Sequence, residues 1–186
     1  GSASLRVIEA LEGQLITNTL WESLNDQKFM ESDTERDLLK IAVINRYENA
    51  PPAIAFIKNF GLKSGAIAST VGHDSHNIIA VGCDDASLCE AVNAVIATQG
   101  GISAVGNGQV HQLPLPIAGL MTDTDGYTVA QQYTELDQFV KQELKSTLQS
   151  PFMTLSFMAL LVIPSIKLSD KGLFDGENFV FVPVFQ

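Results

Sequence analysis

With 186 residues, 46% of them apolar, the chain can bury a sizeable core without help from metals or disulfides. Charged residues make up only 17%, below the usual quarter or so of soluble domains, as expected of a surface partly covered by another domain or subunit. The net charge of −10, from 11 basic and 21 acidic residues, contains no Lys/Arg cluster and argues against nucleic acid or an anionic membrane as a partner.

Gly1-Ser2-Ala3 reads as a cloning scar ahead of one domain at 4–186, cut from a longer parent. Leu5–Ile8 and Leu15–Thr17, separated by Gly13, predict an opening hairpin, and the polar stretch Asp26–Asp37 a loop. Leu38–Ile44, Ala53–Lys58, Ala66–Val71 and Asn77–Gly82 are Ile/Val/Ala-rich runs bounded by Gly or Pro, and read as buried strands. Asp84 to Ser87 offers a helix start. Leu88, Ala91, Val92, Val95 and Ile96 then recur at helical spacing until Gly100-Gly101 ends the element. Ile102–Val105 and Gln109–Leu113 form a second hairpin through Gly106-Asn107-Gly108.

Pro114 to Asp123 reads as a shaped crossover in preference to a ligand contact, and a second helix is predicted from about Thr128 to Leu148. Its buried stripe is Val129, Tyr133, Leu136, Phe139, Val140 and Leu144. Phe152–Leu161 fits a helix or a strand equally, and Phe179–Phe185 predicts a final strand. The apolar run Phe152–Ile163 is broken by Thr154 and Ser156, stopped by Pro164, and too short to span a bilayer. Cys83 and Cys89, without a secretion signal, suit a reduced, cytoplasmic protein and read as thiols without a role. The pattern predicts an α+β fold: mostly antiparallel β-sheet layers flanked by two main helices, without an eightfold strand–helix barrel.

One segment concentrates chemistry. His73, Asp74, Ser75, His76 and Asn77 fall between two apolar strands, where folds mount binding groups. The imidazoles could transfer protons, donate to a ring nitrogen or ligate a metal. Equally, Asp, Ser and Asn are common turn residues that satisfy backbone. A metal site is the weaker reading, because residues three apart on a strand face opposite ways and His111 reads as an ordinary half-buried strand histidine. A Ser-His-Asp triad on Ser75 lacks the Gly-x-Ser-x-Gly elbow.

Four motifs, GHDSHNIIAVG (Gly72–Gly82), LPLPIAGLMTD (Leu113–Asp123), PFMTLSFMAL (Pro151–Leu160) and VIPSIKLSDKGLFD (Val162–Asp175), occur in that order, and DLLKIAVINRY (Asp37–Tyr47) and FIKNFGLKSGAIAS (Phe56–Ser69) precede them. Together they closely resemble the carboxy-terminal region of bacterial adenine deaminases. The resemblance implies an amidohydrolase converting adenine and water to hypoxanthine and ammonia, with a manganese- or iron-type centre in an upstream (β/α)8 barrel. The ligands of that centre include a His-x-His pair, which this chain lacks; it has three histidines in all.

The expectation is therefore no catalytic residue, no metal ligand and no bound cofactor in this chain. Its expected partners are the barrel of the same polypeptide and further copies in a homo-oligomer, with adenine the substrate of the whole enzyme. His73, Asp74, Ser75, His76 and Asn77 are the substrate-side candidates. The alternatives are a purely structural or oligomerisation domain, and a free-standing module for a purine-like ligand.

Overall fold

The computed structural model describes residues 4–24 and 30–186. In chain order the elements are β1 (Ser4–Ala10), β2 (Thr17–Ser23), β3 (Leu39–Ile44), β4 (Ala53–Lys58), β5 (Ala66–Ser69), β6 (Ile78–Gly82), α1 (Asp85–Ala97), β7 (Gly101–Gly106) and β8 (Gln109–Pro114). They continue with α2 (Gly126–Gln142), α3 (Pro151–Ser156), β9 (Ile166–Ser169), β10 (Gly172–Asp175) and β11 (Val180–Phe181). Eight strands form one sheet in the order β2-β1-β4-β3-β6-β5-β7-β8, antiparallel except for the β1–β4 pair. β11, β10 and β9 make a smaller antiparallel sheet. The architecture is the expected α+β class.

The central strands read as continuous apolar runs because both faces of the sheet are covered. One face sends Ile41, Val43, Ile67, Ile79 and Val81 into the main core, with Leu136, Phe139 and Val140 of α2 and Phe152 and Leu155 of α3. The other presents Ala66, Ala68, Ile78 and Ala80 to Leu88, Ala91 and Val95 of α1. Small side chains there let the helix approach closely: Ser103 Oγ donates to the Ala91 carbonyl at 2.8 Å. Asp84 caps α1 by accepting from Ser87 N at 2.7 Å.

Several boundaries differ from the sequence reading. β2 starts at Thr17, not Leu15, because the Leu15 carbonyl instead accepts from the Lys167 ammonium at 2.8 Å. β5 stops at Ser69, whose hydroxyl accepts from Val71 N in a turn. α2 spans Gly126–Gln142 and ends six residues before Leu148. It stops where Lys145 takes φ 67° and Ser146 N donates to the Val140 carbonyl, a left-handed cap without the glycine that would advertise it. Tyr133 on its stripe is exposed.

Phe152–Leu161 resolves as the short helix α3 followed by turns. Only Val180–Phe181 of the predicted last strand pairs with β10; Pro183 has no N–H to continue a ladder, and Phe185 bridges to Leu5 instead. Residues 25–29 of the expected loop, and residues 1–3, lie outside the described residues.

The antiparallel register gathers certain connections at one end of the large sheet. β3 leaves there at Ile44, β5 at Ser69 and β8 at Pro114, while β6 enters at Ile78 and β7 at Gly101. β1, parallel to β4, also starts at this end.

Candidate functional site

The 71–77 connection between β5 and β6 crosses that end as a turn, not as an extension of either strand. Three anchors hold it. His73 N donates to the Ser156 carbonyl at the end of α3, 2.8 Å away, and His76 N donates to the Gly72 carbonyl at 2.8 Å. The Tyr47 hydroxyl donates to the Ser75 carbonyl at 2.7 Å. Asn77 sits buried beneath the loop, accepting from Arg46 N at 3.3 Å and donating to Ser75 Oγ at 3.2 Å.

His73 is half-buried and stacks on Phe157, with ring centroids 4.9 Å apart and an interplanar angle of 17°. Because the segment turns, His76 is not thrown to the opposite side as it would be on a strand. Its ring meets that of His73 edge-on, 5.7 Å away. His76 takes φ 55°, and its Nδ1 is buried without a hydrogen-bond partner. Burial holds its imidazole below the usual range, helped by the neighbouring His73 and Arg46 and opposed by Asp74. Asp74 and Ser75 are exposed on the outside of the turn.

Five polar residues are thus split into two groups. Asn77 faces inward and fixes the loop. His73, Asp74, Ser75 and His76 form a short arc able to stack on a heterocycle and exchange hydrogen bonds with its edge. Ser75 Oγ takes its hydrogen bond from Asn77, not from an imidazole, so it is not set up as a hydrolase nucleophile. Among the described residues no three His, Cys, Asp or Glu gather into a metal-ligand set, so the loop does not fit the metal that the resemblance implies for the parent. His111 lies on β8 against Phe139, 4.3 Å between centroids, with Nε2 2.9 Å from Gln109 Oε1. Burial pushes the Cys83 thiol up to about 12, aided by Asp84 and Asp37, and so keeps it protonated.

Sequence reasoning missed the residues that build the site from outside the loop. Arg46 and Tyr47 follow β3 directly, and the abrupt change from Ile-Ala-Val-Ile to Asn-Arg-Tyr was the signal available. The Arg46 guanidinium lies over the Tyr47 ring, 5.2 Å from its centroid, and donates to the Ala118 carbonyl at 2.6 Å. The expected crossover at Pro114–Asp123 is thereby tied to the same end. On its α1 side lies an open cavity of about 500 Å³, walled by Ile44, Ile78, Val95 and Ile96, with Tyr47 and Gln99 at its polar margin. No helix among the described residues is long and apolar enough to cross a membrane.

Residues 14–180 match the family described as the adenine deaminase C-terminal domain. An adenine deaminase from Sulfurovum sp. is 56% identical over 176 residues, which cover 95% of this chain and 32% of that protein. Adenine deaminases from Salinibacter ruber and Parabacteroides distasonis are 52% and 51% identical, covering 100% and 97% of this chain and 34% and 33% of theirs. The chain spans about a third of the length of these relatives. It belongs to the adenine deaminase C-terminal domain family.

Proposed function

We propose that this chain is the carboxy-terminal domain, 4–186, of a metal-dependent enzyme that hydrolyses adenine to hypoxanthine and ammonia. In this reading its 73–77 loop faces the substrate. The manganese- or iron-type centre that supplies the attacking hydroxide is assigned to the remaining two thirds of the polypeptide; among the described residues here no three His, Cys, Asp or Glu gather into a ligand set. The two unpaired thiols suit a cytoplasmic setting.

The observation that carries the reading is how His73 is held. One face of its ring is fixed on Phe157, its backbone is pinned to α3, and the exposed Asp74 and Ser75 flank it. A polar arc held this firmly loses little freedom when a planar base docks on it. Within this reading His73 stacks on or donates to the purine, and Asp74 accepts from it. His76, whose imidazole is held below the usual range by desolvation, supports His73 edge-on. Steady-state kinetics of the full-length enzyme tests this. His73→Ala should lower kcat/KM with an unchanged far-UV spectrum, and unchanged kinetics would refute substrate contact.

A structural or oligomerisation role has its own support in the smaller sheet. Phe179, Val180 and Phe181 are exposed along it, an apolar edge of the kind that subunit interfaces cover. Charged substitution of Phe181 in the full-length protein, followed by sedimentation, tests that role independently.

A further inference from the structure

We infer that the end of the eight-stranded sheet bearing the 73–77 loop is the face on which the preceding part of the full-length polypeptide is seated. This rests on the reading that the chain is the carboxy-terminal third of a longer protein, and it names the surface used.

Three connections that reach this end leave four large apolar side chains exposed. Tyr47 follows β3 (62% exposed), Ile96 lies in the last turn of α1, Met121 (55%) in the loop after β8, and Tyr127 (92%) in the first turn of α2. Single exposed apolar residues are ordinary on any protein. A ring of four from three separate connections is a surface that water covers poorly.

The ring is also rigid. Tyr47 is bonded to the 73–77 loop, Arg46 to the Ala118 carbonyl, and Thr70 Oγ1 donates to the Gly119 carbonyl at 2.6 Å. Three loops are thereby locked into one face before any partner arrives, which lowers the ordering cost of docking. The cavity walled by Ile44, Ile78, Val95 and Ile96 opens beside Tyr47 and offers a socket for an inserted side chain.

Chain geometry chooses the occupant. β1 starts at this same end, so the polypeptide preceding it arrives here without crossing the sheet. The relatives carry about twice as much additional polypeptide as this chain supplies, more than enough to cover the face. The exposed acids around it, Glu48, Asp74, Asp123 and Asp125, call for a seated surface that is apolar at its centre and basic at its rim.

Hydroxyl-radical footprinting of the full-length protein tests the assignment. Tyr47, Met121 and Tyr127 should oxidise several-fold more slowly than the same residues in the unfolded protein, at every protein concentration. Trp21 on the edge strand β2 and Val110 near the opposite end of β8, both exposed, should stay reactive. Solvent-like reactivity of Met121 and Tyr127 would overturn the proposal. So would protection that appears only as the protein dimerises, since the occupant would then be a second copy. Protection combined with normal kinetics of His73→Ala would leave the docking face standing and remove the substrate contact. The mass of the natural polypeptide checks separately that a preceding part exists.

Discussion

Lys167 shows how much one residue can decide. It is buried on β9 with no carboxylate partner among the described residues, and its ammonium donates to the Leu15 and Ile163 carbonyls at 2.8 and 2.7 Å. Burial lowers it from 10.5 to about 8. Between those values the unfolded chain holds the proton more tightly than the fold, so this group makes stability rise with pH over that window and contributes no slope below it. Denaturant titrations of wild type and Lys167→Met should therefore diverge in favour of wild type between pH 8 and 10.5; parallel profiles would contradict the assignment. Gly65 is a second such position. It holds φ 73°, and a β-carbon there would run into the Val105 carbonyl, so Gly65→Ala should cost more than ~2 kcal/mol in chemical denaturation. The candidate loop was legible in the sequence because two of three histidines crowd into five polar residues between apolar strands. Arg46, Tyr47 and Phe157 were not, since their contacts to it span 28 residues and more and nothing local ties them to that loop.

At the scale of elements, strands and helices were readable where local signals and burial agree. The Asp84 cap and the stripe Leu88, Ala91, Val95 define α1, and Asp84→Ala should lower stability by ~1 kcal/mol through loss of the bond to Ser87 N. The reading ran too far in α2, where tertiary packing of Leu144 continues the apolar stripe after the helix has ended at a non-glycine cap. It also passed over the β9–β10 hairpin, whose strands are four residues each and whose inward Lys167 breaks the apolar pattern. The short helix α3 has a task beyond packing, because its end seats His73 through Ser156 and Phe157. Phe157→Ala should leave the fold intact and lower kcat/KM of the full-length enzyme on the order of tenfold, mainly by loosening that ring. A variant as active as wild type would mean that the stack does not matter to catalysis.

For the whole molecule, the sheet does two jobs with its two ends and faces. α1, α2, α3 and the small sheet bury its faces, and one end collects the loops that carry the polar arc and the apolar ring. The class of fold followed from the alternation of apolar runs and turn residues, whereas strand order did not, because β1 pairs with β4 between residues 49 positions apart, Val7 with Phe56, and nothing local encodes that partner. Assigning the hydroxide-generating centre to the rest of the polypeptide predicts that the 186-residue chain alone, supplied with manganese, turns over no adenine. Ammonia release above background by the pure chain would contradict this. The most direct test of the central claim is steady-state adenine deamination by the manganese-loaded full-length enzyme, wild type against His73→Ala. A loss in kcat/KM of at least about tenfold is expected, with the fold unchanged. Kinetics equal to wild type would make the loop architectural and the domain a structural partner of the catalytic part.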